Sequence, residues 1–388
     1  MNNFSFTIPT QIQFGDGVGR QVGSICGSFV TGPHGLKNGV MVIVDPGITH
    51  AAWLKEILAS IEQSGLHIHR FDEVKPNPKD EDVYEAAAQL KKEDMGVVVA
   101  IGGGSTMDTG KGAALIATHG GKINDYAGFG KIPGPITPLV VIPTTAGSGS
   151  EVTSWAVITD TASHNKLAVG DRNLAPTVAL VDPMLTVTLP AGLSAATGMD
   201  ALTHSIEAYI SSLSSPVNDL LALESIRLVG KHLRRVVEAG DDLKARGGMM
   251  LASTLGGIAI NNADVAGVHC LSEGMGSRYD APHGLLNAIL LPYFMAFWLK
   301  GCLERFTHIA EAFGAPARPE EAVNQVIALN RSLKLTSLAE MGVKKPDFPL
   351  LAQIAEANVS NSSNPFPMTA KDYISILEQA ITGLPPEV

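Results

Sequence analysis

Four side chains between Gly198 and Asn287 have the types and the spacing to hold a divalent cation: Asp200, His204, His269 and His283. Asp200 and His204 stand four apart in GMDALTHSIEAY, a stretch with helical character, so both leave one face of the helix. His269 follows in AGVHCLSE, and His283 in DAPHGLLNAILLP, just ahead of another helical run. One carboxylate and three imidazoles make a donor set that suits Fe²⁺ or Zn²⁺ and not Ca²⁺ or Mg²⁺, which take oxygen ligands. Taken singly, each residue has a blander explanation: an aspartate on a helix surface, or a histidine satisfied in the core. A second chemical signal upstream favours the metal.

That signal is a glycine turn. The apolar run GVVVAI enters GGGSTMDTGKGAALIA, which places Gly102, Gly103 and Gly104 between a strand and a helix. Glycines there let backbone N–H groups approach a phosphate, and a helix N-terminus favours its negative charge. Three glycines alone are equally compatible with a tight turn that binds nothing. The Walker pattern is excluded because Gly112, not Ser or Thr, follows Lys111. The G-x-G-x-x-G fingerprint fails at Met107, where its third glycine belongs. Asp45, at the end of the earlier run VMVIV, is the better candidate for a ribose-binding acid, although DPG also reads as a plain turn. PTTAGSGSE (143–151) adds the hydroxyls of Thr144, Thr145 and Ser148 after another strand, a second wall for a nucleotide.

Elements of two kinds must position these groups. Before residue 184 the chain alternates strand and helix: Val40–Val44, an amphipathic helix over Glu81–Lys92, Gly96–Ile101, Pro138–Ile142, a hairpin or two short strands at Trp155–Thr159 and Lys166–Val169 around TDTASHN, and Val178–Val181. That order predicts a mainly parallel sheet. After Pro190 long helical patterns take over, among them Asp219–Glu238, Met249–Ile260, Leu285–Leu299, Leu303–Phe313, Glu320–Leu333 and Ala370–Ile381. The expected division is an α/β domain over residues 1–184 and an all-α domain over 185–388 that carries the metal candidates. A chain of 388 residues accommodates two such domains.

A net charge of −10 without a polybasic run argues against nucleic acid or anionic membrane as partner. The uncharged run from Ala281 to Leu299 is interrupted by His283, Asn287, Pro282 and Pro292, so a buried helix is expected there and not a membrane span. Three widely spaced cysteines, Cys26, Cys270 and Cys302, fit free thiols in a reducing cytoplasm. MNNFSFTIPT has no basic and apolar signal-peptide pattern.

GGGSTMDTGK, PTTAGSGSEVT, LVDPMLT, GMDALTHSIEAY and PHGLLNAILLP, in this order, closely resemble the iron-activated (group III) alcohol dehydrogenases over nearly the whole chain. The resemblance implies an α/β dinucleotide-binding domain and an all-α metal domain with catalysis in the cleft between them, NAD as cofactor, and a small alcohol or aldehyde as substrate. It also implies a homo-oligomer. The family's ligand pattern falls on Asp200, His204, His269 and His283. Its cofactor positions fall on Asp45, Gly102 to Ser105, Asp108, Thr144, Thr145 and Ser148. Iron is the implied metal, with zinc a substitute. In that chemistry the metal polarises the substrate oxygen while the nicotinamide exchanges hydride with the carbon.

The chain departs from the family at three places. Glu273 stands where many members have a second histidine after the third ligand, Arg278 replaces an aromatic residue, and Phe366 turns NPRP into NPFP. Glu273, one turn after His269, is a candidate proton relay, and Arg278 a candidate partner for an anionic substrate. A Glu273–Arg278 ion pair or a solvated Arg278 is the blander outcome. Three other functions remain open at this point: a zinc-type polyol dehydrogenase, a lyase of the dehydroquinate synthase type, for which the chain has few basic residues near the ligands, and a non-catalytic metal or nucleotide sensor.

Overall fold

The β-branched runs that end in turn residues become one parallel sheet. The computed structural model describes residues 3–31, 37–163 and 165–387. Strands β1 (Gln11–Phe14), β2 (Gly39–Val44), β3 (His67–Phe71), β4 (Val97–Gly102), β6 (Leu139–Pro143) and β9 (Val178–Val181) pair in the order β1-β9-β6-β4-β2-β3, every pair parallel. Every residue of β2, β4, β6 and β9 is buried, which is why these strands read as unbroken apolar runs and not as alternation. Helices α1 (Val22–Thr31) and α2 (Ala52–Gln63) cover one face through Val22, Cys26, Leu54, Ile57 and Ile61, packed on Val40, Val42, Val99 and Ile101. Helices α3 (Asp80–Lys92) and α4 (Gly104–His119) pack together, and α4 lies on the other face, where Gly110 meets Ala100 and Leu139.

This order sets β6, β4 and β2 side by side. The chain leaves β2 toward β3 and leaves β4 toward β6, in opposite directions, so their carboxyl ends flank the switch point where doubly wound sheets take ligands. Asp45, the glycine turn and Thr144–Thr145 sit at those three ends. A short helix α5 (Ile123–Tyr126) and a second sheet complete the unit: β5 (Gly128–Phe129), β8 (Asn165–Gly170) and β7 (Trp155–Asp160), the last two an antiparallel hairpin as expected. His164, within TDTASHN, lies outside the described residues.

The helical unit comprises α6 (Ala191–Ile210), α7 (Pro216–Glu238), α8 (Leu243–Ala263), α9 (Gly267–Tyr279), α10 (His283–Leu299), α11 (Leu303–Ala312), α12 (Pro319–Leu333), α13 (Phe348–Ala357) and α14 (Ala370–Ala380). Helices α6, α7 and α8 pack on one another, and α10 packs on α6 and α9. Helix α10 is apolar nearly all round because it is a core helix, with Leu286, Leu290, Phe294 and Trp298 fully buried. Among the described residues no helix is long and apolar enough to cross a membrane.

The two compact units divide between Thr188 and Leu189, four residues beyond residue 184, and the division is not a single cut. Ala146–Gly149 and the start of the chain up to Thr7 belong to the helical unit, the latter through Thr7, whose backbone bonds the Asn262 amide in both directions (2.7 and 3.0 Å). Gly149 explains part of this: it adopts φ +63°, and a Cβ there would lie 2.5 Å from the Gly257 Cα, so only glycine permits the close approach to α8.

Candidate metal centre and cofactor turn

Helix α6 presents Asp200, His204 and Glu207 at i, i+4 and i+7, all buried on one face. Helix α9 adds His269 in its first turn, and α10 begins at His283. The Asp200 Oδ1 atom lies 3.9 Å from the Nε2 of each of His204, His269 and His283. Donor atoms of Asp200, His269 and His283 fall within 4.8 Å of one another. The His204 ring stacks on His269 with centroids 4.7 Å apart and planes at 19°. Separations of 3.9 Å are too long for hydrogen bonds, yet lie within the span of about 4.2 Å that two bonds of about 2.1 Å to a common ion can bridge.

Partners behind the imidazoles orient them. His269 Nδ1 is bonded to Glu207 Oε2, whose other oxygen accepts from the Val268 N–H at 2.7 Å. A carboxylate only accepts, so Nδ1 carries the proton and Nε2 is left toward Asp200. His204 Nδ1 lies 3.2 Å from the Gly147 carbonyl, which fixes the same tautomer. This carboxylate–imidazole arrangement is the usual support of a metal-binding histidine. The Asn287 Nδ2 atom sits 2.8 Å from Asp200 Oδ1, 3.0 Å from His269 Nε2 and 3.2 Å from His283 Nε2. Three acceptors thus share the two protons of one amide, a surplus of lone pairs that a cation satisfies. The donor set fits a divalent metal.

The charges agree. Burial alone would raise the Asp200 carboxyl, but the facing imidazoles of His204, His283 and His269, with the Asn287 amide, hold it below its ordinary value. Burial pushes the His204 imidazole down, against the opposing pull of Asp200. Burial lowers His269 as well, but Glu207 outweighs it and leaves the ring above its ordinary value.

The residues at which this chain departs from the family pattern have other neighbours than each other. Glu273 is half-buried on α9 and accepts from the Asn358 amide at 2.8 Å. Arg278 is exposed and pairs with Asp347 at 2.7 Å, where the Tyr279 hydroxyl also donates. Of the blander alternatives, a Glu273–Arg278 pair is not formed among the described residues: their partners, Asn358 and Asp347, come from separate segments after α12. Phe366 packs on Phe297 with centroids 5.7 Å apart, and nearby Asn364 Oδ1 accepts from Gly267 N at the start of α9.

At the glycine turn, Gly103 precedes α4, a helix of 16 residues, and no side chain caps it, so no side chain competes for its first N–H groups. A Cβ at Gly102 would come within 2.4 Å of Thr106 Oγ1 and 2.9 Å of the Asp45 Cβ, so Asp45 and the turn are packed together. Thr106 Oγ1 is buried with no hydrogen-bond partner among the described residues. Thr144 N donates to Gly102 O at 3.0 Å, and Thr145 abuts Gly103. Ser105, half-buried, lies in the first turn of α4. Asp45, Gly102 to Ser105, Thr144 and Thr145 therefore gather at one end of the sheet. Asp45 also accepts from Gly47 N at 2.8 Å, capping the turn after β2. Two further expected cofactor positions lie outside this group. Asp108 accepts from Ser150 Oγ at 2.6 Å and Val157 N at 3.0 Å. Ser148 lies within Ala146–Gly149, counted with the helical unit.

A doubly wound sheet with a glycine turn at its switch point, and a helical unit with a largely buried Asp–His–His cluster, are the fold and donor set of a metal-dependent, dinucleotide-linked oxidoreductase. The chain belongs to the iron-containing alcohol dehydrogenase family: the family model described as "Iron-containing alcohol dehydrogenase" matches residues 9–183, and that described as "Fe-containing alcohol dehydrogenase family, C-terminal" matches 194–381. It is 38% identical to the NAD-dependent methanol dehydrogenase of Bacillus methanolicus, covering 97% of this chain and 100% of that one. Identity to the 1,3-propanediol dehydrogenase of Citrobacter freundii is 37%, covering 97% and 98%. The crystal structure of a 1,3-propanediol oxidoreductase superposes with a TM-score of 0.93 at 36% identity, covering 98% of this chain and all of that one. The expected family, fold class and enzyme class are borne out: this is a metal-dependent, NAD(H)-linked oxidoreductase of small alcohols and aldehydes.

Proposed function

We propose that the protein interconverts a small primary alcohol and its aldehyde with NAD(H), using Fe²⁺ held by Asp200, His204, His269 and His283. The observation that carries this reading is the convergence of the Asp200, His269 and His283 donor atoms within 4.8 Å. A bound divalent ion supplies Lewis acidity toward an alcohol or carbonyl oxygen. Asp200 supplies the negative charge that balances the ion, while Glu207 and the Gly147 carbonyl keep two imidazoles in the ligating tautomer. The α4 N-terminus and the Gly102–Gly104 backbone receive the pyrophosphate, and Asp45 the adenosine ribose. Glu273, one turn beyond His269, is the carboxylate proposed to hold a proton for the reaction. Iron is the native metal of this reading, and zinc, which stands above iron in intrinsic affinity, replaces it where iron is scarce. Three free cysteines support a reducing cytoplasm as its location, and a homo-oligomer is the proposed assembly.

Anaerobic assays with NAD⁺ or NADH and added Fe²⁺, across short alcohols, diols and aldehydes with and without an acid group, test the reaction. Turnover of neutral short alcohols is expected, and no NAD-linked turnover of any of them would refute it. In the same assays Arg278→Ala should leave KM for neutral and acid-bearing aldehydes in the wild-type ratio, because Asp347 already occupies the guanidinium. A selective rise for the acid-bearing substrates would instead give Arg278 the recognition role.

Cofactor choice gives a second test. Asp45 is expected to favour NAD(H) over NADP(H) by repelling a 2′-phosphate. Its turn-capping bond to Gly47 complicates Asp45→Gly, whereas Asp45→Asn keeps a capping oxygen and removes only the charge. Both variants should narrow the NAD/NADP ratio of kcat/KM by roughly tenfold or more, as the removal of about 1.4 kcal/mol of repulsion would do. An unchanged ratio in Asp45→Asn leaves Asp45 a turn residue only.

A further inference from the structure

Asn287 is fully buried on α10, one turn after His283, and reaches residues of three helices: Asp200 on α6, His269 on α9 and His283 on its own. Its orientation follows from chemistry. The Asp200 carboxylate only accepts, so the amide must turn its nitrogen to Asp200 Oδ1; the reversed amide would set two oxygens 2.8 Å apart. The same nitrogen then donates toward the Nε2 atoms of His269 and His283 at 3.0 and 3.2 Å. The other end of the amide is left over: Oδ1 is buried with no hydrogen-bond partner among the described residues. A core asparagine kept for stability would have both ends satisfied, since a buried unpaired oxygen is costly. Here one end goes without a partner while the other gathers three ligand atoms.

We propose that Asn287 is a positioning residue of the metal centre, which holds the Asp200 carboxylate and the Nε2 lone pairs of His269 and His283 directed at one point. It complements Glu207, which fixes His269 from behind: Glu207 takes the Nδ1 proton, and Asn287 meets the Nε2 lone pair. When an ion takes those lone pairs, the amide keeps its bond to Asp200 and so continues to orient the carboxylate. The proposal rests on reading this cluster as the metal centre.

Asn287→Leu, of similar size but without donors, tests it in the full-length protein. Dissociation constants for Co²⁺ and Zn²⁺, measured by competition with a chromophoric chelator, should rise roughly 10- to 100-fold, the range commanded by outer partners of metal ligands. The melting temperature of the ion-free protein should hold, because the substitution also removes the unpaired oxygen. Asn287→Ser, which retains one donor, should lie between wild type and Asn287→Leu, and it replaces that variant as the test if the leucine form does not fold. Asn287→Asp should alter the visible d–d bands of the Co²⁺ protein, a signature that a residue concerned only with packing would not move. Metal constants within threefold of wild type in the variants, with unchanged Co²⁺ bands, overturn the role of Asn287 alone. A wild-type protein that binds neither ion overturns the metal centre itself.

Discussion

His283→Ala is expected to abolish metal binding and alcohol oxidation together while leaving the fold in place. Its Nε2 stands 3.9 Å from Asp200 Oδ1, and with His269 it completes the set of donors that fall within 4.8 Å of one another. Loss of a direct ligand should weaken metal affinity by more than the roughly 10- to 100-fold that supporting partners command. The fold should survive because His283 is the first residue of α10 and its side chain is 30% exposed, so it lies at the edge of the core and little core volume is lost. The neighbouring glycine is the sensitive position there: a Cβ at Gly284 would lie 2.5 Å from the Ala196 carbonyl oxygen. Metal analysis of protein purified without added ions, beside the far-ultraviolet dichroism of the ion-free form, gives the answer. A His283→Ala protein with full metal content would remove His283 from the ligand set.

What the sequence reveals of this site depends on how local each contact is. Asp200 and His204 are legible because i, i+4 spacing is a local fact, and the histidines of α9 and α10 because imidazole is a rare type with few uses. Glu207 was within the same reach, at i+7 on the face of Asp200, but a glutamate in a helix has too many ordinary explanations to stand out. Asn287, four residues after His283, is hidden likewise. Gly147 was beyond reach, since its contribution is a backbone carbonyl brought to His204 across 57 positions. PTTAGSGSE shows the same limit: its threonines stay with the glycine turn, while Ala146–Gly149 joins the helical unit.

In the α/β unit the buried central strands announce themselves as apolar runs, whereas the edge strands do not. β1 is QIQF and β3 is HIHRF, both only partly buried, so neither needs the composition of a core strand. Their places follow from backbone pairing, of β1 with β9 and of β3 with β2. α1 escapes for the opposite reason: VGSICGSFVT has two glycines and two serines, low in helix propensity, and is held as a helix by packing Val22 and Cys26 on the sheet.

Lys111→Met is expected to destabilise the protein by about 3 kcal/mol, the scale for removing one partner from a buried charge pair. Lys111 is fully buried on α4, where an apolar face would be the ordinary requirement. Its ammonium donates to Ser150 Oγ at 2.8 Å, Thr153 Oγ1 at 3.2 Å and the Trp155 carbonyl at 2.7 Å, and stands 3.7 Å from Asp108. These bonds tie the segment after Gly149 to the helix that begins at the glycine turn. Burial pushes Lys111 down to about 8, against the opposing pull of Asp108 and Glu151. Burial likewise raises Asp108, with Lys111 opposing it. The unfolded chain keeps the lysine proton to about pH 10.4, so between about 8 and that value the unfolded state binds more protons than the folded one. Wild-type stability attributable to Lys111 therefore rises with pH across this window, by at most about 1.4 kcal/mol per unit, and the gap to Lys111→Met widens there. Denaturant unfolding at pH 7, 8.5 and 9.5 measures it. The double variant Lys111→Met/Asp108→Asn should recover part of the loss, because it leaves no lone buried carboxylate. A single variant within 0.5 kcal/mol of wild type (roughly the ordinary surface range), or a double variant no better than the single, would show that the Lys111–Asp108 pair does not hold this unit together.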